Sequence, residues 1–158
     1  MAYPQLFGPP QREGRVTMPG GIGLAWQVFG RPQGRFPPIV CCNGLGVATF
    51  FWHYLARYFA ARTQVLVWDY RGHGDSDPPG SLDEMTIEQC ADDCAAVMED
   101  AGITEPAAFI GHSMGSQVIL EFYRRHAAGV AALMPVLGTY GKAIETFFDF
   151  GGMKYLFP

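Results

Sequence analysis

The chain has 158 residues, enough for one domain, and a formal net charge of −4 from 11 basic and 15 acidic side chains. Because it contains no run of lysine or arginine, it offers no phosphate-neutralising patch, and nucleic-acid binding is not expected. A hydrophobic content of 49% excludes intrinsic disorder. No stretch approaches the roughly 20 apolar residues that a membrane span needs.

The first residues lack a basic region followed by an apolar core, so no signal peptide is recognised. We therefore expect a cytoplasmic protein whose four cysteines are reduced thiols. Residues 1–12 show no periodicity and several Pro and Gly, which predicts a loose amino-terminal arm.

The next elements predict an α/β fold. Two apolar segments, 15–18 and 24–29, flank Pro-Gly-Gly and predict an antiparallel hairpin. Continuous apolar runs predict strands buried on both faces of a parallel sheet, at 39–42, 65–68 and 107–110. Helical spacing of apolar residues predicts intervening helices around 52–59, 87–101 and 114–126. A last strand is predicted at 130–137, although it contains Pro135.

These elements predict one domain over residues 13–139, a mostly parallel sheet behind an antiparallel hairpin. Residues 140–158 are rich in large apolar side chains and are predicted to start a further segment.

The sequence Gly-His-Ser-Met-Gly at 111–115 directly follows a predicted strand and opens a predicted helix. In that setting G-x-S-x-G is typical of a nucleophile elbow, which projects a serine hydroxyl above the sheet. Gly111 and Gly115 avoid Cβ clashes in the turn, whose second residue is His112. We predict that Ser113 is a nucleophile and that N–H groups from Met114 onward face a developing oxyanion.

Two further segments follow predicted strands, Asn-Gly-Leu-Gly at 43–46 and Trp-Asp-Tyr-Arg-Gly-His-Gly-Asp-Ser at 68–76. With the elbow, and in this order, they resemble the α/β-hydrolase superfamily over residues 14–139. The resemblance implies an α/β-hydrolase fold and a serine hydrolase that cleaves a carboxylic ester or related acyl bond without a cofactor. It also implies an oxyanion hole formed by the N–H groups of Leu45 and Met114. The family usually has His before Gly44, so Asn43 is a departure that leaves the backbone donor intact.

The second segment is predicted to be structural, with Asp69, Arg71 and His73 holding their loop by hydrogen bonds. Relatives that open epoxides or remove halogens carry Asp at the elbow, because those reactions need a carboxylate nucleophile. Ser113 therefore favours acyl transfer.

A complete triad is missing from the pattern. The family's order is Ser, acid, His, but the only later histidine is His126, about 20 Å along the predicted helix at 1.5 Å per residue. Asp149 is a candidate acid. We therefore expect the amino-terminal part of a larger hydrolase, with residues 140–158 starting its cap, and a chain that is inactive or impaired alone.

Two other functions fit the same features. One is a non-catalytic hydrolase-like binding module, and the other is a cofactor-free haloperoxidase or perhydrolase. The expected partner is a small ester-like molecule. The last strand and the apolar tail also favour self-association or a complementing chain. No metal site is expected, because Cys90 and Cys94 lie on an apolar helical stripe, where core packing is favoured over metal binding.

Overall fold

A computed structural model describes residues 8–32 and 35–139. Its strands are β1 (Arg12–Thr17), β2 (Gly23–Phe29), β3 (Ile39–Cys42), β4 (Val65–Trp68), β5 (Ala107–His112) and β6 (Val130–Val136). Its α-helices are α1 (His53–Phe59), α2 (Ile87–Asp100) and α3 (Met114–His126), with short 3₁₀ turns at Thr49–Trp52, Leu82–Glu84 and Ala127–Gly129. Among these described helices, none has the length and apolar character to cross a membrane.

The six strands form one sheet in the order β1-β2-β4-β3-β5-β6. The pairs β1/β2 and β2/β4 are antiparallel, whereas β4/β3, β3/β5 and β5/β6 are parallel. The register places Cys42 beside Gly111 and His112 beside Val136. The predicted α/β sheet with its antiparallel hairpin is therefore confirmed.

The central strands are buried on both faces, as their unbroken apolar sequences predict. Every residue of β3 and β4 is buried. Val40 and Leu66 belong to the core cluster that contains α2 and α3 residues, whereas Cys41 and Val67 pack with Trp52 on the opposite face. Alternation along each strand thus supplies two cores.

β1 and β5 extend furthest beyond their predicted ranges. β1 begins at Arg12, and the N–H of Gln11 already donates to the carbonyl of Val28, 2.9 Å away. β5 continues to His112, which carries the strand directly into the elbow. Residues 1–7 and 140–158, including most of the predicted arm, the cap segment and Asp149, lie outside the described residues.

Pro135 is accommodated because β6 is the last strand of the described sheet, a position that tolerates a missing N–H group. Thr86 caps α2, since its Oγ1 accepts the N–H of Gln89 at 3.1 Å. The Gln89 side chain instead donates to Asp93, 2.9 Å away.

A buried ion pair ties the loop after β4 to α2. Arg71 donates to both carboxylate oxygens of Asp93, at 2.7 and 2.8 Å, with only 8% and 2% of the two side chains exposed. The hydrogen bonds to Asp93 raise the pKa of Arg71 further. Losing one partner of such a pair leaves the other charge buried and uncompensated.

We expect Asp93→Ala to lower the free energy of unfolding by about 3 kcal/mol, because Arg71 keeps only the more distant Glu84. Asp92→Ala is the matched control, because neighbouring Asp92 pairs with Arg125 at the surface and should contribute at most about 1 kcal/mol. Urea unfolding of both variants measures the difference. Equal losses would show that burial does not distinguish the two pairs.

The four cysteines, Cys41, Cys42, Cys90 and Cys94, are free and buried. Burial raises the pKa of Cys90 to about 12 and raises the pKa values of Cys41 and Cys94 well above the usual range. No group of three metal-ligating side chains occurs within residues 8–32 and 35–139. The location of Cys90 and Cys94 in the core agrees with the packing interpretation.

We expect the native thiols to resist alkylation, because the thiolate is the reactive form and burial disfavours it. Iodoacetamide at mildly alkaline pH, followed by mass spectrometry, should modify few or none before unfolding and all four in urea. Rapid modification of folded protein would contradict a closed core around these residues.

Candidate active site

The turn between β5 and α3 holds Ser113 in an unusual backbone conformation. Its φ is 52° and its ψ is −117°, while Met114 already begins the helix. A non-glycine residue with positive φ costs of order 1–3 kcal/mol and persists only where surrounding contacts impose it. Ser113 is exposed, and no described residue hydrogen-bonds to its hydroxyl.

Two glycines make this turn possible. A Cβ on Gly111 would lie 2.2 Å from the carbonyl oxygen of Gly115, and a Cβ on Gly115 would lie 2.1 Å from the carbonyl oxygen of Cys42. Both contacts are with backbone atoms, which cannot move aside as a flexible side chain could. The spacing of glycines predicted from the sequence therefore has a direct steric cause.

Hydrogen bonds fix the turn from two sides. The N–H of Ser113 donates to the carbonyl of Val136 on β6, 3.0 Å away. Ser116, one turn into α3, donates its hydroxyl to the carbonyl of Gly111 at 2.8 Å. The predicted nucleophile is thus held by its own helix and by the neighbouring strand.

The loop after β3 lies beside the elbow. A Cβ on Gly44 would lie 3.3 Å from Cβ of Ser113 and 2.9 Å from Nδ1 of His112. The next residue, Leu45, is 69% exposed. Within the described chain the N–H groups of Leu45 and Met114 donate to no acceptor, so both predicted oxyanion donors are free.

Asn43 occupies the position where the resembled family usually has His. It is buried, and both polar atoms of its side chain make hydrogen bonds. Its Nδ2 donates to the carbonyl of Trp68 at 2.9 Å, and its Oδ1 accepts the indole N–H of Trp52. Its own carbonyl accepts the hydroxyl of Tyr70 at 3.0 Å. The Asn43 side chain therefore fixes the start of the loop after β3 to Trp68 and Trp52.

All four histidines of the sequence lie in the described residues, and none hydrogen-bonds to the hydroxyl of Ser113. The ring of His112 packs 4.5 Å from that of Phe51, and its Nδ1 is buried with no hydrogen-bond partner among the described residues. His126 lies at the far end of α3, its Nε2 3.6 Å from Asp92. His53 begins α1, and His73 is occupied elsewhere.

The loop after β4 does more than the sequence predicts. Asp69 accepts N–H groups from Asp75 at 3.1 Å and from Thr49 at 2.9 Å. Burial raises the pKa of Asp69, although these two bonds act in the opposite direction. His73 accepts the N–H of Gly46 at 2.9 Å. The predicted structural loop therefore also holds the segment that carries Leu45, a contact for which the sequence offers no signal.

The turn after β6 also forms part of the site, although no sequence pattern predicts it. Leu137 has φ 49° and is 83% exposed, and a Cβ on Gly138 would lie 2.7 Å from the carbonyl oxygen of Ser113. This turn packs directly against the elbow. Only the glycine at 138 could have indicated such a close approach.

The alpha/beta hydrolase fold family model matches residues 37–156, more than half of the chain. The chain belongs to the α/β-hydrolase fold family. A thermophilic esterase from Thermogutta terrifontis has a similar structure, with a TM-score of 0.72, 26% identity, and coverage of 81% of this chain and 46% of that one.

Two curated relatives are named for activities other than ester hydrolysis. The Mycobacterium tuberculosis protein named "Probable oxidoreductase EphD" is 28% identical over 141 residues, which cover 88% of this chain and 23% of that protein. Bifunctional epoxide hydrolase 2 of Mus musculus is 30% identical over 124 residues, covering 76% of this chain and 22% of that protein. The chain thus spans about a quarter of these relatives' length.

We expect Gly115→Ala to destabilise the protein by about 2 kcal/mol or more, because the added methyl group would overlap the Cys42 carbonyl. Gly129→Ala is the matched control, since its Cβ would make an ordinary 3.7 Å contact with Phe122. Thermal unfolding of the two variants tests the steric argument. It fails if Gly115→Ala melts no lower than Gly129→Ala.

Proposed function

We propose that this chain carries the nucleophile and oxyanion hole of a serine hydrolase that acts on a carboxylic ester or related acyl bond. The observation that carries the proposal is the conformation of Ser113, an exposed serine with positive φ where β5 meets α3. Such strain is found mainly at functional sites.

The chemistry follows from the surrounding atoms. Oγ of Ser113 attacks the acyl carbon, and the C=O electron pair moves to the carbonyl oxygen. The N–H groups of Leu45 and Met114 are free to stabilise the resulting oxyanion. Met114 also stands at the amino terminus of α3, where the helix dipole favours negative charge. The C=O bond then re-forms as the bond from the acyl carbon to the alkoxide breaks, and the alkoxide takes up the proton that the base removed from Ser113. Water releases the acyl group from Ser113 in the second half of the reaction.

A general base must remove the proton from Ser113, and none of the chain's four histidines hydrogen-bonds to the hydroxyl of Ser113. We propose that residues beyond this sequence, or a second chain, provide the histidine and its acid. The 158 residues alone then react slowly, because losing the base of such a triad costs about 10⁶ in turnover.

The edge of β6 is the proposed site of attachment for this complement. Within residues 8–32 and 35–139, β6 pairs only with β5. Met134 on β6 is 57% exposed, and Leu137 follows the strand. An open apolar strand edge is a template for further strand pairing.

The substrate's acyl side is proposed to be apolar. Leu45 and Phe51 are 69% and 42% exposed and lie beside the elbow. Leu45 follows Gly44, which lies against Ser113, and the ring of Phe51 packs against His112. An apolar or aromatic acyl group would cover these side chains and displace water from them.

Epoxide hydrolysis is the alternative favoured by a named relative, the mouse epoxide hydrolase. Ser113 argues against it, because epoxide opening in this fold needs a carboxylate nucleophile.

We expect a fluorophosphonate probe to label Ser113 slowly, and excess imidazole to accelerate this labelling by about tenfold or more. Free imidazole supplies the missing general base, whose positioned counterpart contributes about 10²–10⁴-fold. Intact-mass spectrometry over time, with peptide mapping, measures the rate and the site.

Ser113→Ala is the control and should abolish the imidazole-dependent labelling. Equal labelling in this variant, or none in the folded unsubstituted chain even with imidazole, would contradict the proposed nucleophile. Rapid labelling without imidazole would instead show that a base within the chain reaches Ser113.

A further inference from the structure

The loop that carries Leu45 is held by a histidine from the loop after β4. Nε2 of His73 lies 2.9 Å from the backbone nitrogen of Gly46, and Nδ1 lies 3.0 Å from the carbonyl oxygen of Arg71. The ring is half-buried and packs edge-on against Tyr70, with centroids 5.7 Å apart.

The two partners fix the protonation state of the ring. The N–H of Gly46 can only donate, so Nε2 must be the acceptor. The carbonyl of Arg71 can only accept, so Nδ1 must carry the proton. One neutral tautomer alone satisfies both bonds, because an imidazolium has no acceptor nitrogen.

This bond acts on the peptide next to the predicted oxyanion donor. Leu45 is followed by Gly46, whose φ is 72°, and the N–H of Val47 closes a turn onto the carbonyl of Gly44 at 3.2 Å. Gly44 itself lies against His112 and Ser113. The turn is therefore fixed on one side by the elbow and on the other by His73, with Leu45 between them.

We propose that His73 is a positioning residue of the acyl-transfer site, whose neutral Nδ1-protonated ring holds Gly46 and thereby aims the Leu45 N–H at the oxyanion. The proposal rests on the proposed role of Ser113 as nucleophile. His73 does not touch the substrate, and its effect reaches the reaction through the backbone of residues 44–46.

Two substitutions separate the two hydrogen bonds of the ring. The amide of Gln reaches about as far as Nε2, so His73→Gln can keep an acceptor for Gly46. The amide of Asn reaches about as far as Nδ1, so His73→Asn can keep the donor to Arg71 but not the bond to Gly46. Both side chains are neutral and polar, which makes them a matched pair.

The experiment measures imidazole-assisted fluorophosphonate labelling of Ser113 in the full 158-residue chain and in both variants. Removal of one oxyanion donor costs about 10²–10³-fold, so a displaced donor should slow His73→Asn by about ten- to a hundredfold. His73→Gln should remain within about threefold of the unsubstituted chain. Urea midpoints of the two variants show whether the difference is independent of stability.

A second measurement needs no variant. Long-range ¹H–¹⁵N spectra of the unsubstituted chain should show Nδ1 of His73 protonated and Nε2 unprotonated, with a slowly exchanging Gly46 amide. A proton on Nε2, or a freely exchanging Gly46 amide, would overturn the proposal even if His73→Asn does not fold.

The outcomes separate the two proposals. If the unsubstituted chain is not labelled at Ser113, both the nucleophile and the positioning role are wrong. If Ser113 is labelled and folded His73→Asn reacts as fast as His73→Gln, only the positioning role is wrong.

Discussion

The site depends on one close approach between backbones. The Cα of Gly115 packs so tightly against the carbonyl of Cys42 that no Cβ fits between them. This contact joins the first turn of α3 to the end of β3. The parallel register of β3 and β5 already places the ends of these two strands side by side. As a result, the loop that follows β3 and the turn that follows β5 share one small volume. A larger residue at 115 would separate the predicted nucleophile from its predicted oxyanion donor.

The loop after β4 forms a second layer around that contact. Tyr70 binds the carbonyl of Asn43, His73 binds Gly46, and Asp69 binds Thr49. These bonds attach the loop after β3, residues 43–49, at its start, middle and end. The loop that provides them is itself anchored to α2 by the buried Arg71–Asp93 pair. The position of the loop beside the elbow therefore depends on hydrogen bonds from the loop after β4 and, through Arg71, on α2.

Local patterns in the sequence predicted much of this arrangement. Apolar runs and helical spacing predicted β3, β4 and α3 with their observed bounds, because burial on both faces or on one stripe leaves a direct periodic signal. The elbow was also recognisable from a local pattern, because the turn requires glycines at fixed positions. The bond from His73 to Gly46 was not predictable, because it joins residues 27 positions apart. The packing of Gly138 under Ser113 likewise depends on how β6 lies against β5.

Backbone strain in the site occurs at two residues, each of which directly follows a strand. Ser113 and Leu137 are the two non-glycine residues with positive φ among those described, and each costs of order 1–3 kcal/mol. The Val136 carbonyl accepts the N–H of Ser113, so the residue just before one strained position binds the other. Movement of β6 would loosen both together. A strand paired with the outer edge of β6, as proposed above, would therefore stabilise the backbone conformation of Ser113 as well as the sheet.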